Sequence, residues 1–192
     1  MNRLNGMSVY LAGPMDDVKD RGVGWRQELT PFLLSLGLIV FDPCKKATEY
    51  ACEIGDNYDE TVKLLKLSKE HLSYKEKRPY LEEVKKTMKS IVSYDLRMVD
   101  LSDFVILHVN RDVHACGSYY EGSHAAMQRK PVIVFCDQGI EEIPHWLFGV
   151  CKYETFFNNL KEIKSYLLHI DSDILIDDLN RWKFFDRSKI KK

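Results

Sequence analysis

Four short, almost unbroken apolar runs constrain this chain more than any other feature. They are Met7-Ser8-Val9-Tyr10-Leu11-Ala12, Leu38-Ile39-Val40-Phe41, Asp103-Phe104-Val105-Ile106-Leu107-His108-Val109 and Val132-Ile133-Val134-Phe135. They are short for buried helices and lack the alternation of a half-solvated strand. Each therefore reads as a strand covered on both faces, the habit of a parallel sheet. Gly13-Pro14 stops the first and Asp42-Pro43 the second. Helical spacing separates them. Trp25, Leu29, Phe32, Leu33 and Leu36 share a face over Trp25 to Leu36; Pro31 predicts a kink or a late start near Thr30, and Gly37 closes the helix. Further helices are predicted over Ser90 to Leu101, Gly117 to Arg129 and Asn158 to Leu168, and a weak fifth strand over Val150 to Tyr153. This alternation predicts an α/β fold, flavodoxin-like or Rossmann-like. Its five-stranded parallel sheet has order 2-1-3-4-5, with helices on both faces. Such sheets bind ligands at the carboxyl ends of the strands where the order reverses. Here that is between strands one and three, where the loops Gly13 to Gly24 and Asn110 to Gly117 converge.

The chain of 192 residues suits a single domain. Residues 44–90 are rich in Lys, Glu and Tyr and weakly periodic, and read as a helical insertion. One helix is expected over Asp59 to His71 and another from Pro79 toward Met88. Residues about 170–192 form a polar C-terminal segment with Trp182, Phe184 and Phe185 as anchors, ending in a basic stretch that reads as a solvated tail. A net charge of −1 argues against nucleic acid as a partner. Five cysteines, Cys44, Cys52, Cys116, Cys136 and Cys151, are an odd number without C-x-x-C spacing, which argues against a disulfide framework or a zinc site. No stretch is long enough to span a membrane, and nothing resembles a signal peptide, so a cytoplasmic protein is the expectation.

Two carboxylates stand near the expected ligand edge. Ser118-x-x-Glu121 has capping-box spacing, in which the glutamate reaches back to the start of its own helix. A carboxylate in a first helical turn at that edge is also suited to attack an electrophilic sugar carbon. Spacing alone leaves both readings open. Displacing a nucleobase also needs a proton donor. Asp95, at the edge of the apolar face formed by Ile91, Tyr94 and Met98, is the first candidate, against a surface ion pair. Asp100 and Asp103 are its rivals. No cluster has metal-ligand spacing and no G-x-G-x-x-G follows strand one, so neither metal nor cofactor is expected.

Three stretches, "VYLAGPM" at 9–15, "YDLRMVDLSDFVILHV" at 94–109 and "GSYYEGSHAAMQRKPVIVF" at 117–135, resemble the nucleoside 2-deoxyribosyltransferase family. "PHWLFGVCKYETFFNNLKEIKSYL" resembles that family's last strand and helix. The resemblance implies that Glu121 is the nucleophile, that Asp95 acts near the base and in proton transfer, and that Tyr10 touches nucleophile and sugar. It makes Gly13, Met15, Gly117 and Ser118 substrate-binding, with Gly13 admitting the base; apart from the resemblance, Arg21 and Arg26 follow the first loop, where either is placed to steer a phosphate. Tyr10 has the alternative of an ordinary core aromatic, and Arg21, Arg26 and the loop residue His114 that of solvated charges. The family often has Asp at the place of Ala115, or Ser in its monophosphate-cleaving branch, and Tyr119 stands where the commoner motif has a second glycine. The contact to the sugar's 5′ end, and with it the choice between nucleoside and nucleotide, is therefore open. The implied activity is cleavage of the N-glycosidic bond of a 2′-deoxyribonucleoside with transfer of the sugar to a free base. The alternatives are hydrolysis of a nucleoside 5′-monophosphate and a non-catalytic nucleotide-binding module. The resemblance also implies a homo-oligomer.

Overall fold

The apolar runs form the sheet that their patterning predicts, except that the second run lies at the sheet edge and leaves Ile39 exposed rather than covered. The computed structural model describes residues 2–15, 18–45 and 73–172, without the side chain of Tyr80. Strands β1 (Ser8–Ala12), β2 (Ile39–Phe41), β3 (Phe104–Val109), β4 (Val132–Cys136) and β5 (Phe156–Phe157) make one parallel sheet in the order β2-β1-β3-β4-β5. Helices α1 (Val23–Ser35) and α5 (Leu160–Asp171) cover one face. Helices α2 (Tyr74–Leu101), α3 (Cys116–Met127) and α4 (His145–Val150) cover the other. Strand parity divides the core. Val9, Leu11, Phe104, Ile106, Ile133 and Phe135 pack toward α1 and α5. Tyr10, Ala12, Val105, Leu107, Val132 and Val134 pack toward α2, α3 and α4. Tyr10 is thereby committed to the α2/α3 side, and the core side chains of α1, Trp25, Leu29 and Leu33, pack on the other.

Several boundaries differ from the sequence expectation, each for a local reason. Helix α1 begins at Val23 rather than Trp25 because Asp20 accepts hydrogen bonds from the N–H groups of Gly22 (3.0 Å) and Gly24 (2.8 Å), serving donors that helix starts leave unpaired. The helix runs through Pro31. The carbonyl deprived of its partner belongs to Gln27, and both residues are exposed, so water can serve it. Its end is as predicted. Gly37 has φ of 76°, its N–H donates to the carbonyl of Leu34 (2.9 Å), and that of Leu38 donates to Leu33 (3.2 Å), a Schellman ending. Gly37→Ala should therefore lower stability by about 1–2 kcal/mol, the cost of a left-handed L residue. Chemical denaturation should show a lower midpoint at unchanged slope.

The helices expected from Pro79 to Met88 and over Ser90 to Leu101 are one helix, α2, of 28 residues. Pro79 falls in its second turn, after the start is set. There the Glu76 carboxylate accepts from the N–H (2.8 Å) and the hydroxyl (2.6 Å) of Ser73. Pro79 removes only the bond to the exposed Lys75. The expected helix Asp59 to His71, most of the proposed insertion, and the anchors Trp182, Phe184 and Phe185 lie outside the described residues. The fifth strand is not at Val150 to Tyr153. Val150 ends α4, a 3-10 turn occupies Tyr153–Thr155, and the strand is Phe156–Phe157, paired with Val134 and Phe135. Two adjacent aromatics serve opposite faces, Phe156 toward α4 and Phe157 toward α5, and both are buried. Among the described residues, no helix is long and apolar enough to cross a membrane.

Candidate active site

The carboxyl ends of β1 and β3 open into a cleft of about 140 Å³. It is lined by residues after β1 (Gly13, Pro14, Met15), by Pro43 after β2, by His114 to Ser118 at the start of α3, and by Tyr10, Asp95 and Glu121. This is the predicted edge. Seven of the sequence-derived candidates meet here: Tyr10, Gly13, Met15, Asp95, Gly117, Ser118 and Glu121.

Three elements converge on the chemical centre. Tyr10 projects from the middle of β1 and is 0% exposed. Glu121 projects from α3, and Asp95 from α2 is 6% exposed. Glu121 comes near β1 because its neighbour Gly122 lets α3 sit close to β3. A Cβ at Gly122 would lie 2.9 Å from a methyl of Leu107. The Tyr10 hydroxyl donates to Glu121 Oε1 at 2.9 Å. The tyrosine holds that proton firmly. Burial, then the negative charges of Glu121 and Asp95, push its pKa well above the ordinary phenol value. At neutral pH the donor is therefore always in place.

The capping-box reading of Ser118 and Glu121 does not survive. Ala115 is the N-cap, so Ser118 lies inside the helix and Glu121 in its second turn. The carboxylate accepts across from Tyr10 on β1. The favourable field of a first-turn position is correspondingly weaker at Glu121 than the sequence spacing suggested.

The rivals of Asp95 are spent elsewhere. Asp100 pairs on the surface with His124 (2.9 Å) and Gln128 (2.6 Å). Asp103 accepts from the N–H (2.8 Å) and hydroxyl (3.1 Å) of Ser8 at the opposite end of the sheet. Tyr119, at the position of the second motif glycine, packs against the core under α2, α3 and α4 and does not line the cleft. Gly13 lines the cleft, but the need for glycine comes from beneath it: a Cβ there would lie 2.9 Å from the Trp25 ring and 3.0 Å from the Cβ of His108. Its backbone rests on those side chains, and the His108 ring stacks on Phe135 at 4.5 Å.

Arg26 requires a correction. It is not brought to the cleft, because α1 covers the other face of the sheet. It is 1% exposed, and its guanidinium is occupied by the carbonyls of Leu11, Gly13 and Gly22, with Asp42 nearby. Arg21 also lies outside the cleft. Pro43 and Cys116 were missed as lining residues. Strand order contained the signal for Pro43: in a 2-1-3 arrangement the loop after β2 flanks the loop after β1. Cys116 needed the true start of α3. Among the described residues, no three His, Cys, Asp or Glu side chains are grouped to hold a metal.

No protein-family model matches the chain, and no curated protein does. Solved structures do. A 2-deoxyribosyltransferase from the psychrotolerant bacterium Bacillus psychrosaccharolyticus is 18% identical with a TM-score of 0.52, over 83% of this chain and 91% of that one. A 2-deoxyribosyltransferase from Leishmania mexicana is 14% identical with a TM-score of 0.48, over 85% of this chain and 98% of that one. The chain thus has the fold of the Bacillus 2-deoxyribosyltransferase, with its own Tyr10, Asp95 and Glu121 gathered in one cleft at the carboxyl edge of the sheet.

Proposed function

We propose that the chain belongs to the nucleoside 2-deoxyribosyltransferase family and moves a 2-deoxyribosyl group between nucleobases through a covalent sugar ester on Glu121. The observation that carries this is the hydrogen bond from a buried tyrosine to a carboxylate, beside a second carboxylate in the same cleft. The sequence motifs around these residues and the shared fold support it.

In the first step a carboxylate oxygen of Glu121 bonds to C1′ of the nucleoside. The C1′–N bond breaks, its electron pair passes to the base, and Asp95 delivers the proton that makes the base a competent leaving group. Tyr10 fixes the carboxylate so that little orientational freedom is lost at the moment of attack. In the second step a nitrogen of an incoming base attacks C1′. The ester C–O bond breaks, Glu121 recovers its carboxylate, and the incoming base returns a proton to Asp95. The two inversions leave the anomeric configuration unchanged. In this reading the base lies toward Gly13, Met15 and Pro43 and the sugar's 5′ end toward the start of α3, all of which line the cleft.

A second reading takes a nucleoside 5′-monophosphate with water as acceptor. It is favoured by one feature. Cys116, Gly117 and Ser118, the first three residues of α3, line the cleft with His114, and N–H groups of a first helical turn have no acceptor within the helix.

The test supplies a deoxynucleoside and a different free base. The exchanged nucleoside by mass spectrometry is the expected product. Free base with sugar phosphate from a monophosphate substrate supports the second reading. A 2-fluoro-arabino nucleoside should leave a sugar adduct that maps to Glu121. A nucleoside retained unreacted by the native protein would overturn both catalytic readings and support a binding module.

A further inference from the structure

We propose that Arg26 is a positioning residue whose buried guanidinium holds the ends of β1 and β2 at a set separation and so shapes the wall of the cleft. Only its kinetic consequence rests on the proposed function.

The donors of Arg26 reach three stretches of chain. Nε and Nη2 donate to the carbonyl of Leu11 at 3.2 and 3.1 Å, Nη2 to that of Gly13 at 3.0 Å, and Nη1 to that of Gly22 at 2.7 Å. Nε also lies 3.7 Å from Asp42 Oδ1, both side chains being almost wholly buried. The same Asp42 oxygen accepts the N–H of Cys44 at 2.9 Å and so folds the turn that carries Pro43. The cation therefore ties Gly13 to Pro43, two lining residues from different strands, from the side opposite the cleft. The ring of Trp25, 4.6 Å from the guanidinium carbon, covers it.

Only arginine suits this place. Its planar fork presents donors in fixed directions, whereas a lysine ammonium is a compact point charge on a flexible stem. Arg26→Lys keeps the charge and loses the fork. Asp42→Asn keeps the fork and loosens its link to β2.

Amide hydrogen exchange on both variants tests the clamp without any substrate. In Arg26→Lys, exchange should quicken by at least ~10-fold across residues 11–15 and 42–45 while α2, α3 and β4 keep their protection. In Asp42→Asn it should quicken over 42–45 alone. Should Arg26→Lys fail to fold, Asp42→Asn decides. Unchanged exchange over 42–45 in that variant, or over both segments in folded Arg26→Lys, overturns the proposal. In the kinetic arm, kcat is counted per molecule able to form the sugar adduct. A displaced wall should lower it by roughly 10²-fold in Arg26→Lys. A value per site equal to that of the native protein would mean that Arg26 serves stability alone, and would also overturn the proposal. A native protein that releases no base would sink the functional reading and leave the exchange result standing.

Discussion

Glu121→Ala should abolish base exchange, lowering kcat by at least ~10⁴-fold, the scale on which loss of a nucleophile acts. It should also carry no adduct from the trapping nucleoside. Its fold should survive. The side chain is only half-buried, and its removal leaves the Tyr10 hydroxyl beside a solvent-reaching cleft. Glu121→Gln sharpens the test. The amide keeps the shape and still accepts from Tyr10, but it is a far poorer nucleophile. Glu121→Gln should unfold near the native midpoint because the amide still accepts from Tyr10, whereas Glu121→Ala takes the acceptor from a buried hydroxyl and should lose about 1–3 kcal/mol. An active Glu121→Gln protein, or an adduct mapped to another side chain, would end the proposed mechanism.

The second large effect belongs to Asp95. Asp95→Asn should cost roughly 10²–10⁴-fold in kcat, the range of a general acid or base. The loss must depend on the leaving group. A nucleoside whose base departs readily as an anion needs little proton donation and should recover most of the rate. Equal losses across good and poor leaving groups would make Asp95 a positioning residue. The adduct should still form on Glu121 in Asp95→Asn when the trapping nucleoside carries a good leaving group. Absence of that adduct would show that the aspartate shapes the cleft and does not act in proton transfer.

Much of the arrangement was legible from residue order. Unbroken apolar runs favour strands covered on both faces, as β1, β3 and β4 are, and right-handed crossovers between them leave few sheet orders. Strand periodicity alone separates Tyr10 from Val9 and Leu11, which face α1 and α5. The motifs around Tyr10, Asp95 and Glu121 pointed to residues that the fold brings into one cleft. The failures have different causes, one distant and one local. Ser118 and Glu121 have capping-box spacing, but the partner that prevails is Tyr10, 111 residues away in sequence. Local patterning cannot rank a near hydrogen bond against a distant one. Pro79 reads as a helix start by its own preference, yet α2 begins at Tyr74, where Ser73 and Glu76 supply the cap.

The sequence by itself determined four of the five strands, the sheet order, the face to which residues of those strands turn, and the edge at which the cleft opens. These follow from apolar periodicity and chain chirality, which are properties of neighbouring residues. Only the tertiary structure decided which partner Glu121 takes, that Pro43 joins the cleft, and that Arg26 works from beneath it. Those outcomes depend on where separate elements come to rest against each other. A buried polar group must then take whichever donors or acceptors packing places within its reach.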